Sequence, residues 1–278
     1  MQTKSIYKSA EGKQKIIALY DKVVSEWPVS VDQLKIPTGY GETFVLASGD
    51  KNLPPLILIH GSASNSMSWG GDVGTLSQNF CVYAIDIPGE PGKSVENRFS
   101  WTGPAFNEWL DEVLGGLNLK KVFLGGISLG AWAAAKFAIE FPERVEKLVL
   151  ICPSGIYPAR FSFLARAIGY SLLGKWGQAR LKEFIFKNTP LSEDAEQFVT
   201  LVGEYFNYRL GAPPLFKDEE LKKLKMPVFY MAGVNDVLLD SGKTAERLQK
   251  FLPNLDVNLY EEKGHAVVNM AKEIIDFL

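Results

Sequence analysis

The chemistry of this chain centres on Ser128, in the pentapeptide Gly126-Ile127-Ser128-Leu129-Gly130. A serine hydroxyl is a weak nucleophile until a base takes its proton during attack, and imidazole suits that task near neutral pH. The chain has two histidines, His60 and His265. A carboxylate that accepts a hydrogen bond from the imidazole fixes its tautomer and stabilises the cation formed during attack. Asp236, in Ala232-Gly233-Val234-Asn235-Asp236-Val237, is the candidate, with Asp240 as the fallback. Acyl-transfer triads on sheets of this kind run serine, acid, histidine along the chain, and Ser128, Asp236 and His265 keep that order. His60 falls outside it and is expected to shape a loop through hydrogen bonds. Asp240 is expected to cap the helix that follows it.

Attack on an acyl carbon develops an oxyanion, usually held by two backbone N–H groups. One is expected from Leu129, the residue after the nucleophile. The other is expected from His60-Gly61-Ser62, at Ser62 first and Ala63 second; small residues there let the backbone approach a substrate.

These groups require particular elements to hold them. Lys121-Val122-Phe123-Leu124-Gly125 is β-prone and Ala131-Trp132-Ala133-Ala134-Ala135 is rich in helix formers, so Ser128 sits at a strand–turn–helix junction, as a nucleophile elbow requires. Leu56–Ile59, Val82–Ile85, Leu148–Ile151, Val228–Met231 and Val257–Tyr260 read as further strands, with a half-exposed strand at 41–47. Helical stretches at 102–117, 129–140 and near 240–251 alternate with them, and another closes the chain. This is the signature of a mainly parallel sheet, whose ligands bind beyond the carboxyl ends of the strands. Asp236 and His265 each follow a predicted strand, as does Ser128.

Residues 8–26 have helical spacing that Trp27-Pro28 ends. Residues 153–217 break the alternation with prolines and glycines, among them Pro153, Gly155, Pro190 and Gly211, around helix-like stretches dense in Phe, Tyr and Trp. The expected organisation is a helical N-terminal extension over 1–37, a core over 38–152 and 218–278, and an inserted helical cap over 153–217. The cap's aromatics, from Phe161 and Phe163 to Phe206 and Tyr208, are expected to be mostly core, with a subset lining an apolar pocket.

Thirty basic and thirty-two acidic side chains, interspersed, leave a formal charge of −2 and argue against a nucleic-acid surface. Cys81 and Cys152 do not make a disulfide framework and read as buried thiols of a reducing compartment. No apolar run resembles a signal peptide or a membrane span, so a cytoplasmic protein without membrane partners is expected. The two cysteines stand apart and both histidines have roles, so neither a metal nor an organic cofactor is expected.

His-Gly after an apolar strand, Gly-x-Ser-x-Gly, Gly-x-x-Asp and Gly-His, in this order over roughly residues 38–278, resemble the α/β-hydrolase superfamily in its serine branch. Trp27-Pro28, Tyr40-Gly41-Glu42-Thr43 and Pro54-Pro55 are similar to bacterial carboxylesterases of the naproxen-esterase type. Asp86-Ile87-Pro88-Gly89-Glu90-Pro91-Gly92-Lys93-Ser94 resembles the superfamily's D-x-x-G-x-G-x-S loop with one extra residue. Asp86 itself reads as a turn-maker. The resemblance implies an α/β-hydrolase fold, a mostly parallel eight-stranded sheet flanked by helices. It also implies cleavage of small to medium carboxylic esters through an acyl-enzyme on Ser128. The aromatic cap points to an apolar ester. Hydrolysis of carbon–carbon bonds, lactones or thioesters uses the same triad, and a ligand receptor on this fold is the non-enzymatic alternative. An intact serine, acid and histidine set speaks against the receptor.

Overall fold

A computed structural model describes residues 5–171, 173–186, 189, 191–209 and 211–278. Pro190 and the residues before Ser5 lie outside the described residues. Eight strands form one sheet: β1 (Val31–Ile36), β2 (Thr43–Ser48), β3 (Pro55–Ile59), β4 (Cys81–Ile85), β5 (Val122–Ile127), β6 (Val145–Ile151), β7 (Val228–Gly233) and β8 (Leu255–Tyr260). Their spatial order is β1-β2-β4-β3-β5-β6-β7-β8. The first two pairings, β1 with β2 and β2 with β4, are antiparallel, and every pairing from β4 to β8 is parallel. The chain has the α/β-hydrolase fold.

The central strands are apolar because both faces are covered. Residues Leu56 to Ile59 of β3 and all of β4 are buried. Helices α1 (Ala10–Ser25), α2 (Gly70–Leu76), α3 (Ala105–Gly116) and α4 (Leu129–Glu140) precede β6. Of these, α4 packs on β3, β5 and β6 and against α3. It is alanine-rich because it lies in the middle of the core, where ten of its twelve residues are buried.

Residues 31–36, which the sequence reading placed inside a helical extension, instead form the edge strand β1. Its burial runs intermediate, exposed, exposed, intermediate, exposed, buried, so little apolar periodicity marks it in the sequence. The preceding α1 is capped by the Ser9 side chain, which accepts from the Gly12 N–H. Tyr20 on α1 reaches into the core and donates to Asp86 at 2.9 Å.

Between β6 and β7 lie α5 (Phe161–Ser171), α6 (Gly174–Ile185), α7 (Glu193–Tyr205) and the one-turn α8 (Asp218–Leu221). Helix α7 makes a second small core with the N-terminal segment, in which Phe198, Val202 and Phe206 meet Ile6, Tyr7, Ile16 and Leu19. The expectation that aromatics of this region are mostly core is not met. Phe161, Trp176 and Tyr208 are more than half exposed, whereas Phe198 and Phe206 are buried. The physical reason is that α5 and α6 pack chiefly on each other. One helix pair has too little partner surface to cover rings on its outer face.

After β7 come α9 (Ser241–Phe251) and, after β8, α10 (Ala271–Phe277). Asp240 is the N-cap of α9 and accepts from the Lys243 N–H. It is thereby a helix cap, as its position implied. No helix of the described residues is long and apolar enough to cross a membrane.

Candidate active site

Strand β5 ends at Ile127 and α4 begins at Leu129, leaving Ser128 alone at the turn with φ 53° and ψ −105°. This left-handed φ costs a non-glycine residue on the order of 1–3 kcal/mol and persists only where its surroundings over-determine it. Here the Ser128 N–H donates to the Ile151 carbonyl at 2.8 Å, and its own carbonyl accepts from Trp132 at 3.0 Å and Ser154 at 3.2 Å. The flanking glycines answer crowding. A Cβ on Gly126 would overlap the Gly130 backbone, and one on Gly130 would overlap the carbonyl oxygens of Ile59 and His60. Gly130→Ala is therefore expected to destabilise the protein by about 1–3 kcal/mol through overpacking against backbone that cannot swing aside. Urea unfolding measures this, and an unchanged midpoint would contradict it.

Asp236 follows β7 and His265 follows β8. Gly233 lets their two loops cross, since a Cβ there would strike the carbonyls of Lys263 and Gly264. The His265 Nδ1 lies 2.7 Å from Asp236 Oδ2, and its Nε2 lies 3.2 Å from Ser128 Oγ. Asp236 is 3 % exposed, and its Oδ1 accepts from the backbone N–H groups of Leu238 at 2.7 Å and Leu239 at 3.0 Å. Those two bonds aim the other carboxylate oxygen at the imidazole. With Nδ1–H donating to Asp236, the Nε2 lone pair faces Ser128 and can take its proton. Ser128, Asp236 and His265, distant in sequence, thus come together in the predicted order.

His60 is fully buried. Its Nε2 accepts from the Ile87 N–H at 2.9 Å, so Nδ1 carries the hydrogen and donates to the Gly61 carbonyl at 2.7 Å. Burial holds its imidazole below the ordinary range and keeps it neutral. Asp86 is likewise buried and accepts from Tyr20, the Ser66 N–H and the Lys93 N–H, which joins α1 and two loops at one carboxylate. It does more than make a turn.

Gly61 lies against the elbow, where a Cβ would sit 3.7 Å from Ser128 Cβ. Next come exposed Ser62 and then Ala63, whose φ is 55°. The Ala63 N–H donates to Glu90 Oε2 at 2.6 Å, so this second choice for an oxyanion donor is already engaged. Leu129 opens α4, and the first N–H groups of a helix have no intrahelical acceptor. Gly61 beside Ser128 and Leu129 after it thus bring the loop that follows β3 and the first turn of α4 to the elbow.

Three groups near this site were not legible in the sequence. Ser154 Oγ lies 3.4 Å from Ser128 Oγ, three residues beyond β6 with no motif around it. Cys152 is buried with φ 44°. Its thiol lies within 4.8 Å of ligand atoms on Asp236 and His265, the one set of three potential metal ligands among the described residues. Burial and the charge of Asp236 push that thiol up, so it stays protonated. Asp236 meanwhile spends its acceptors on His265 and the backbone N–H groups of Leu238 and Leu239.

Glu90 is the third. It is 2 % exposed, and burial pushes its carboxyl up to about 7 against the opposing pull of the Ala63 N–H, Arg98 and Arg209. An acid raised in the fold stabilises fully only below its unfolded value, and that contribution is lost as pH rises through about 7. Glu90→Gln is accordingly expected to gain stability relative to the parent as pH rises from 5 to 8. Urea midpoints at the two pH values measure it; a difference between the two proteins that stays the same at both would contradict it.

The sequence pattern of the alpha/beta hydrolase family matches residues 56–277. Carboxylesterase YbfK of Bacillus subtilis is 27% identical over 93% of this chain and 90% of its own length. The nap carboxylesterase of the same organism is 28% identical over 89% of this chain and 85% of its own length. The crystal structure of YbfK superposes with a TM-score of 0.87 at 26% identity, covering 96% of this chain and 98% of that one.

Proposed function

We propose, from the premise that the chain belongs to the alpha/beta hydrolase family, that Ser128, His265 and Asp236 carry out its ester hydrolysis. The protein is a serine hydrolase that cleaves carboxylic esters, in line with its carboxylesterase relatives. The observation that carries the assignment of residues is the relay of 3.2 Å from Ser128 Oγ to His265 Nε2 and 2.7 Å from Nδ1 to Asp236.

In the first half-reaction Ser128 Oγ bonds to the ester carbonyl carbon as its proton passes to His265 Nε2. The carbonyl oxygen becomes an oxyanion between the N–H groups of Ser62 and Leu129. Asp236 stabilises the imidazolium, which then protonates the departing alcohol as the carbon–oxygen bond breaks. A water molecule, deprotonated by His265, next attacks the acyl-enzyme; the serine recovers its proton and the carboxylic acid leaves. Holding the reacting groups and the donors in place before substrate arrives is what lowers the barrier.

Residues 153–217 form a cap that follows β6 and precedes β7, and small to medium, apolar esters are its substrates. Support comes from the apolar side chains the region carries and from Thr189, whose hydroxyl donates to the Ala266 carbonyl beside His265 at 3.2 Å. The protein works in the cytoplasm, a reading supported by two buried cysteines that remain free thiols. Steady-state hydrolysis of p-nitrophenyl esters from acetate to dodecanoate tests the substrate class. The expected optimum falls at butyrate to octanoate, and turnover confined to dodecanoate would overturn the size assignment.

A further inference from the structure

We infer that Glu90 is a positioning residue for the oxyanion site, which holds Ser62 in place by binding the N–H of its neighbour Ala63. The inference rests on Ser62 being an oxyanion donor and goes beyond it, since Glu90 touches no reacting atom.

The loop after β3 has to turn sharply at Ala63. A left-handed φ at alanine needs an external hold, because nothing in the side chain favours it. That hold is the Glu90 carboxylate, 2.6 Å from the Ala63 N–H, a length typical of a charge-assisted bond. Burying a carboxylate is costly unless its partners compensate, and Glu90 is almost completely buried. A residue whose only task was to fill this turn would be served by an apolar side chain.

The surroundings also fix Glu90. It lies in the Gly89-Glu90-Pro91-Gly92 turn, where the residue extra to the D-x-x-G-x-G-x-S pattern falls. The Gly92 N–H donates to the Glu90 carbonyl at 2.8 Å, and the Glu90 N–H donates to the Ile87 carbonyl at 3.2 Å. The Tyr7 hydroxyl donates to the Gly92 carbonyl at 3.2 Å. Arg98 and Arg209 supply positive charge near Glu90, whose own charge adds to the burial that pushes the Tyr7 phenol up. Arg98 is itself anchored to the carbonyls of Gly89 and Asn207, and Arg209 to that of Phe99. Glu90 thus ties the loop after β3 to its own turn, and Arg98 ties the adjoining Gly89 to Asn207 in the segment that follows α7.

The test compares Glu90→Ala, Glu90→Gln and Glu90→Asp with the parent, using p-nitrophenyl butyrate and a trifluoromethyl ketone that forms a tetrahedral adduct on the serine. Glu90→Ala should lower kcat by roughly 10- to 100-fold with KM within about threefold, as expected when oxyanion donation is impaired. Affinity for the ketone should fall in proportion to kcat/KM. Glu90→Gln keeps a carbonyl acceptor at the same reach and should recover to within about fivefold of the parent. Glu90→Asp withdraws the carboxylate by a methylene and should resemble Glu90→Ala, which keeps the test decisive if the alanine variant does not fold. Parent-like kcat and ketone affinity in Glu90→Asp, or a Gln variant as impaired as Asp, would overturn the inference. Labelling of the parent serine by a fluorophosphonate is the control. If labelling is intact while Glu90→Ala is fully active, this inference alone fails; a parent that does not label removes the reading beneath it as well.

Discussion

Ser128→Ala is expected to lower kcat for p-nitrophenyl butyrate by on the order of a thousandfold or more, with KM little changed. The substitution removes one atom, Oγ, and little else. The bonds that hold the elbow run through the backbone of residue 128, to Ile151, Trp132 and Ser154, and alanine keeps all of them. The strained φ of 53° is tolerated as well by alanine as by serine. The folded site, including its oxyanion donors and the His265–Asp236 bond, should therefore persist, and the activity left should be what positioning alone provides. One nearby group complicates a small effect. Ser154 Oγ lies 3.4 Å from Ser128 Oγ and is the hydroxyl best placed to substitute for it. If Ser128→Ala lost less than tenfold, the double variant with Ser154→Ala would show whether that hydroxyl had taken over. A double variant that stayed active would place the nucleophile elsewhere.

Asp236→Asn is expected to lower kcat by about 10³ to 10⁴, comparable to other triads in which the acid is made an amide. The cause is a tautomer. Asp236 Oδ1 accepts two backbone N–H groups, so an asparagine would keep its carbonyl oxygen there and turn its NH₂ toward His265. An amide NH₂ donates, which forces Nδ1 to accept and moves the imidazole hydrogen to Nε2. Facing Ser128 with a hydrogen in place of a lone pair, His265 can no longer take the serine proton. Two readouts separate this from a structural defect: the urea midpoint should stay near the parent value, and activity should rise at high pH as Ser128 ionises without help. A tenfold loss or less would mean that His265 keeps its working tautomer without Asp236.

Much of this was legible because the chemistry is local to strand ends. The turn at Ser128 announces itself, since two glycines, a β-prone run and an alanine-rich run occur within twenty residues. Asp236 and His265 each fall a few residues past an apolar strand, and chain order selects His265 over His60. The structure adds the reason His60 is excluded: both of its nitrogens are bonded to backbone. Seven of the eight strands could be read from apolar periodicity. β1 could not, because only one of its six residues is fully buried and its exposure follows no period of two.

Glu90 was illegible for a different cause. In sequence it is one acidic residue in a polar turn, where glutamate is normally solvated. Its burial arises only when segments 5–9, 60–66, 86–98 and 206–209 converge, and no local pattern encodes that convergence. Cys152 and Ser154 became neighbours of the site through the same kind of long-range packing. The exposure of Phe161 and Trp176 is the converse case, in which aromatic content suggested a core that the α5–α6 pair is too thin to supply.

The central claim, that Ser128 is a nucleophile activated by His265, is tested most directly by stoichiometric labelling with a fluorophosphonate followed by peptide mapping. The expected result is one label per chain on Ser128, formed by the parent, abolished in Ser128→Ala and strongly slowed in His265→Ala. Labelling that persists in Ser128→Ala, or that maps to another residue in the parent, would contradict the account.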